Sequence, residues 1–417
     1  MKVFFRTIHL YLSLASGIVI MIACLTGAIL VFEKELQMAF NHDRYYSAAA
    51  TNPLPVDDLV ARVRKRYPEA RVGDIKIYAD PTRNAEIGVS LKPGVSGKEG
   101  LSEKEAARRE SAGKEEGGRG KGQKAGPEAG GSRGEKAKGG EQGGGRPTHT
   151  VFVSRTDGQV VELYSYRETF FYQVFALHRW LLGSSDGIGK YIVGVSTFIF
   201  LFILLTGIIL WWPKTGRILK QRLNVKWDGG WKRLNHDLHL VLGFYSAIFL
   251  FIFSFTAMSW SFKWFNKGIY TVTGTTQETP EPPASVVMAG MAPLTAERAF
   301  SLFRERVPEG ISYQIRAPRD SAGVWTMTVL PEGRMENASD TYYLDQYTGK
   351  ELGTYTYDQR NLGQKVRSYV KPVHTGSVFG MPSKVISFIV CLLGTSFPVT
   401  GVILWLNRLK KERSRKA

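Results

Sequence analysis

The chain has 417 residues, 43% hydrophobic and 22% charged, with 55 Lys and Arg against 37 Asp and Glu, giving a formal net charge of +18. That length allows several domains, and a mean hydropathy of −0.14 averages very apolar blocks with very polar ones. The two cysteines, Cys24 and Cys391, belong to no CxxC or CxxCH pattern, which leaves no basis for a disulfide framework, a zinc ribbon or covalent c-type haem.

Lys2 and Arg6 precede the first apolar run, residues 8–32. The run exceeds a signal-peptide core, lacks an obvious small-residue cleavage site and carries His9, so it reads as an uncleaved span. Residues 52–91 then read as a small α+β unit, with a helix at 56–67 and strands at 74–78 and 85–91. Residues 97–146 contain 16 glycines and no aromatic, a composition that cannot bury enough apolar surface to order itself. This stretch is expected to be a disordered insertion in a long hairpin loop. Strand pattern resumes at 148–154 and, after the Asp157-Gly158 turn, at 160–164.

Residues 191–212 form a second run long enough for the roughly 20 residues that a bilayer core requires; 238–262 and 385–406 are the third and fourth. Between the last two, a helix at 294–307 and strands at 312–316, 324–330 and 341–344 lead to a turn at Thr348-Gly349. The order of elements in the first loop thus recurs in the second. The expected organisation is a first span in 1–36, an outer domain in 50–166, and an outer helix with the second span in 167–213. A basic loop follows at 214–234, the third span in 235–266, a second outer domain in 280–366, an outer segment with the fourth span in 367–407, and a basic tail at 408–417. The fold class is an α+β membrane protein: a four-transmembrane-helix bundle built from two parallel repeats, each carrying an extracytoplasmic α+β domain.

Lys and Arg in the short flanks set the orientation. They concentrate before the first span, in the 214–234 loop (Lys214, Arg217, Lys220, Arg222 and others) and after the fourth (Arg408, Lys410, Lys411, Arg413). Both termini are therefore expected in the cytoplasm. Anionic membrane lipid, and no nucleic acid, is the partner that this charge implies.

Histidine is costly in lipid and normally faces a partner or ligand there. His9 stands 17 residues before Thr26 in Leu-Thr-Gly, and His239 stands 17 before Thr256 in Phe-Thr-Ala. His178 stands 28 residues before Thr206-Gly207, and His374 stands 26 before Thr400-Gly401. Parallel repeats put His9 and His239 at one depth and His178 and His374 at the other. Two imidazoles at each depth fall short of a structural zinc site. They match the two axial positions of a haem, and bis-histidine ligation suits electron transfer. His236, three residues before His239, lies on the same helical face and is the rival ligand for the inner site. His42 and His149 have no counterparts and read as surface residues. Arg6, Arg233 and Arg179 either pair with haem propionates or hold helix ends at the headgroups.

These residues resemble a known family. Ile8-His-Leu-Tyr-Leu-Ser-Leu-Ala-Ser-Gly17, Leu25-Thr-Gly-Ala-Ile-Leu30, Asp237-Leu-His-Leu-Val-Leu-Gly243, Leu177-His-Arg-Trp-Leu-Leu182, Val373-His-Thr-Gly376 and Thr400-Gly-Val-Ile-Leu-Trp405 are similar to motifs of the PepSY-associated transmembrane proteins, also called iron-regulated membrane proteins. The resemblance covers nearly everything outside 97–146. It implies PepSY-like outer domains, two non-covalent b-type haems and ferric-siderophore reductase activity in the bacterial inner membrane. On that basis His9 and His239 hold an inner haem iron, and His178 and His374 an outer one. The expected partners are a ferric-siderophore or other ferric chelate in the periplasm and an electron donor, either quinol or a cytosolic reductase. No glycine-rich βαβ fingerprint for NAD or flavin is present. The competing reading is a non-catalytic PepSY membrane anchor that binds or regulates a periplasmic partner. A metal transporter is disfavoured, because the spans contain no Asp or Glu.

Overall fold

In hydrocarbon every backbone N–H and C=O must find a partner within the protein, which makes a continuous helix the natural state of an isolated apolar run. The computed structural model describes residues 2–49, 51–91, 147–288 and 290–415. In chain order, α1 (Lys2–Val31), α2 (Glu33–Phe40) and α3 (His42–Tyr45) lead to α4 (Val56–Arg66). Strands β1 (Arg71–Tyr78), β2 (Ala85–Ser90), β3 (His149–Val153) and β4 (Val160–Tyr164) follow. Next come α5 (Phe170–Trp180), α6 (Ile188–Trp211), α7 (Gly216–Arg222) and α8 (Gly230–Asp237), which passes through a π turn at Leu238–Leu242 into α9 (Gly243–Ser261). Then α10 (Lys263–Val272), α11 (Ala296–Arg306), β5 (Gly310–Arg316), β6 (Val324–Pro331), β7 (Asp340–Asp345), β8 (Glu351–Tyr355), α12 (Leu362–His374) and α13 (Met381–Arg413) complete the chain.

Among the described residues, four helical stretches are long and apolar enough to cross a membrane: Lys2–Val31, Ile188–Trp211, Gly230–Ser261 and Met381–Arg413. They match the four expected spans: the first three start earlier and end one residue sooner than expected, and the fourth extends beyond 385–406 at both ends. The protein is a mixed helix-and-sheet membrane protein. It divides into two compact units, Tyr46–Ser165 and a larger one formed by Met1–Tyr45 with Tyr166–Ala417.

In the smaller unit, Val56, Leu59, Val60 and Val63 recur at helical spacing and bury one face of α4. Alternate strand residues Ile75 and Ile77, Ile87 and Val89, and Val151 and Val153 are buried with them. The strands form an antiparallel meander: β1 pairs with β2, β2 with β3 and β3 with β4. Val89 stands opposite His149, so the chain leaves β2 and re-enters β3 at the same end of a hairpin. The expected insertion, 97–146, lies outside the described residues.

In the larger unit, Ile20 of α1, Phe200 and Ile203 of α6, Leu250 of α9 and Val390 of α13 form one buried cluster drawn from all four spans. Small residues permit the approach: a Cβ on Gly394 would stand 2.8 Å from Cys24 Sγ and 3.2 Å from Leu250 Cδ2. The second α+β fold is also in this unit. Ala299, Phe300 and Phe303 bury α11, and β5 to β8 form another antiparallel meander. Strand β8 was not anticipated from sequence. Pro372 within α12 cannot donate to the Ser368 carbonyl, and Asn337 Nδ2 donates there instead at 3.3 Å.

Candidate functional site

Two short helices bring histidines to the spans. Thr169 caps α5, its side chain accepting from Tyr172 N, and His178 lies in the last turn of that helix. Asn361 and Gln364 form a capping box that starts α12, and His374 is its final residue. Beyond His178 the chain turns through Leu181 (φ 51°) and Leu182 (φ 64°). The left-handed region is unfavourable for such bulky side chains, so packing holds this turn against local preference.

The four repeat-matched histidines share one arrangement. His178 Nδ1 is 3.0 Å from Thr26 Oγ1 and 3.0 Å from the Ala23 carbonyl, both on α1. His374 Nδ1 is 3.1 Å from Thr256 Oγ1 and 3.0 Å from the Phe253 carbonyl, both on α9. His9 Nδ1 is 3.0 Å from Thr206 Oγ1 on α6, and His239 Nδ1 is 2.8 Å from Thr400 Oγ1 on α13. His239 sits in the π turn, a local widening of the helix that is frequent at functional sites.

The proton position follows from this network. A carbonyl only accepts, so Nδ1 of His178 and His374 must donate. Each threonine hydroxyl donates backwards along its own helix: Thr26 to Ile22 O at 2.6 Å, Thr206 to Phe202 O at 2.8 Å, Thr256 to Ile252 O at 2.8 Å and Thr400 to Ser396 O at 3.1 Å. With its proton committed there, each hydroxyl accepts from the imidazole. The rings of His178 and His374 thus carry the proton on Nδ1 and leave Nε2 for another partner, and the same threonine contact favours that tautomer at His9 and His239; a supporting hydrogen bond of this kind selects the tautomer of a ligand histidine.

The small residue after the threonine lies against the ring edge, at a distance where a Cβ would make ordinary van der Waals contact. A Cβ on Gly27 would stand 3.5 Å from His178 Cε1, one on Gly207 3.4 Å from His9 Cε1, and one on Gly401 3.4 Å from His239 Cε1. The fourth position is Ala257. The rings of His178 and His374 lie 6.3 Å apart, centroid to centroid, at 61°. Two imidazoles bound through Nε2 on opposite sides of one metal, at about 2.0 Å each, have centroids about 6 Å apart. His9 and His239 are also within electrostatic reach of each other.

Among the described residues, no group of three or more His, Cys, Asp or Glu is arranged to hold a metal ion. His178 and His374 offer a set of two imidazoles. That set fits a haem, which brings four nitrogens and takes two axial ligands.

His236 has a carboxylate partner in place of a threonine. Its Nδ1 is 3.1 Å from Asp237 Oδ1 and its side chain is 47% exposed. Buried Asp237 also accepts from Arg233 Nε at 2.7 Å and from Lys226 N at 3.2 Å. Arg233, a propionate candidate in the sequence, is thus engaged by a carboxylate of its own helix. His149 meets its neighbour Thr148, Nδ1 to Oγ1 at 2.8 Å, and His42 is exposed beside Asp43. The sequence reading used Thr26, Thr206, Thr256 and Thr400 as landmarks of the repeat and missed that they are the histidines' partners. The signal was a threonine at matched spacing, followed by glycine at three of the four positions.

No curated protein matches the chain. The family model described as the PepSY-associated TM region matches residues 6–408, nearly the whole chain, and the protein belongs to that family.

Proposed function

We propose that the protein is a transmembrane di-haem b reductase that passes electrons from the cytoplasmic side to the periplasm, where the acceptor is ferric iron in a siderophore or similar chelate. The observation carrying this reading is the fourfold His–Thr arrangement, which favours the tautomer with Nε2 available in two pairs of rings. His9 with His239 would hold one haem and His178 with His374 the other. Bound haem supplies a one-electron couple at each depth.

The chain's own residues do the rest. The Nδ1–H bonds to threonine keep each imidazole in the ligating tautomer and make it a stronger donor. Small residues lie against the ring edges, and the apolar cluster of Ile20, Phe200, Leu250 and Val390 excludes water between the two depths. His9 and Thr26 are 17 residues apart on α1, about 25 Å of helix, which sets the separation of the sites. The like placement of His9 and His239, and of His178 and His374, supports an architecture of two parallel repeats. The basic flanks support an inner-membrane protein with both termini in the cytoplasm.

The test is an optical spectrum of the detergent-purified protein, oxidised and dithionite-reduced, with haem quantified as the pyridine haemochrome. A b-type spectrum at about two haems per chain is expected. His178→Ala or His374→Ala should then remove one haem and spare the other. Protein that stays colourless after haem is supplied sinks the reductase, and the reading becomes a PepSY membrane anchor for a periplasmic partner.

A further inference from the structure

Two arginines on different helices converge on one ring. The guanidinium carbons of Arg179 (α5) and Arg367 (α12) lie 5.8 and 5.5 Å from the centroid of Trp260. The Trp260 ring is in turn 5.2 Å from that of His374. Arg179 directly follows His178, and Arg367 stands seven residues, about two helical turns, before His374. Both arginines are therefore fixed relative to the ring pair.

Neither has a carboxylate partner among the described residues. Arg367 Nε donates to Asn266 Oδ1 at 2.9 Å, a neutral acceptor. Arg179 interacts with Trp260 and feels the nearby imidazoles. Both are half-buried. A charge that has lost water without gaining a counter-ion is costly, and two of them over one indole compound that cost. An indole face accommodates a cation and leaves guanidinium N–H groups free to fork onto a planar anion.

We propose that Arg179 and Arg367, gathered on Trp260 beside His374, form a carboxylate-binding site. The carboxylate has two possible sources: a propionate of the haem held by His178 and His374, in which case the site rests on the function proposed above, or a carboxylate of an anionic ferric chelate arriving at that end of the bundle.

The experiment uses full-length protein in detergent, prepared under haem limitation and titrated with haem and with haem dimethyl ester, whose propionates are neutral. In wild type, one of the two sites should bind the ester at least about tenfold more weakly than haem, the scale of a lost charge-assisted pair. The Arg179→Gln/Arg367→Gln protein should lose that discrimination, and the double Lys protein should recover part of it. Retention of one haem at the other pair shows that the variant is folded. A second arm titrates ferric citrate into the same proteins. If haem and ester bind alike but the Gln substitutions weaken ferric citrate about tenfold, the site stands and its carboxylate belongs to the chelate. Equal binding of haem and ester, with ferric citrate unaffected by the substitutions, overturns the site while two bound haems keep the reductase reading intact. Wild type that takes up no haem overturns the reductase reading instead, and the ferric citrate arm alone then decides the site.

Discussion

Thr26 and His178 are bound across two helices: the imidazole Nδ1 lies 3.0 Å from a hydroxyl whose own proton goes to Ile22 O at 2.6 Å. The hydroxyl is thereby made an acceptor, and it shares the Nδ1–H of the ring with the Ala23 carbonyl, also 3.0 Å away. Thr26→Val keeps the shape of the side chain and removes one of these two acceptors. In the proposed haem-loaded protein it should weaken haem at the His178–His374 pair by about tenfold, the low end of the range for loss of a partner supporting a metal ligand, because the carbonyl remains. Thr26→Ser should retain most of the affinity. Haem titration of the three proteins checks this, and equal affinity for Val and wild type would remove the role assigned to the hydroxyl.

Gly207 faces the edge of His9, where an added Cβ would be 3.4 Å from Cε1. Since Ala257 occupies the matching place beside Thr256, one methyl group is expected to be tolerated. Gly207→Ala should keep two haems per chain, whereas Gly207→Val should displace the ring and leave one. A full complement in the Val protein, counted as pyridine haemochrome, would mean that space beside His9 is not limiting.

Gly394 tests the packing of the bundle independently of any cofactor. Its added Cβ would stand 2.8 Å from Cys24 Sγ, too close for two packed atoms. Gly394→Ala should destabilise by about 1–3 kcal/mol through overpacking. Cys24→Ala in the same protein should restore part of that loss by removing the sulfur. Thermal unfolding in detergent, followed by circular dichroism, compares the single and double variants. Additive losses would show that the two side chains do not compete for the same volume.

Asp345 couples the second α+β fold to pH. Burial raises its pKa, but N–H groups of Thr348 and Tyr347 and the Thr348 hydroxyl, all bonded to Oδ1 at 2.8–3.0 Å, outweigh burial and bring the net value below the usual carboxylate range. A depressed folded-state pKa contributes stability above the unfolded value, near 3.9, and that stability is lost as pH falls through the folded value. Wild type should therefore lose stability below about pH 4, and Asp345→Asn should flatten that part of the curve. Melting temperature against pH for both proteins is the measurement; parallel curves would exclude Asp345 as the titrating group.

The spans, the α4 and α11 stripes and seven of the eight strands were legible because each is written in a short window. Val56, Leu59, Val60 and Val63 recur with the helical period, and Ile75 and Ile77 alternate with half-buried neighbours. The four histidines stand out in the sequence because their spacing to a threonine recurs along the chain. The threonine partners were not legible, since spacing along one helix does not say which helix lies beside it. His178 and Thr26 are 152 residues apart and meet only through packing. Leu181 and Leu182 in left-handed conformation run against their own preferences. Strand β8, with Gly353 at its centre, has no alternation to read.

The first span is fastened at two points: it offers His9 to Thr206 of α6 and receives His178 of α5 on Thr26. At about 100° per residue, 17 residues carry the chain through nearly five turns and leave the two fastenings about 100° apart around the helix axis. They consequently reach different neighbours. Sliding the helix by one residue, or turning it by the matching angle, breaks both bonds together. The third span is pinned in the same manner, through His239 and Thr256. Helix register in this bundle is therefore set by polar groups at opposite ends of a rod, and the apolar surface between them is free to vary in detail without letting the rod rotate.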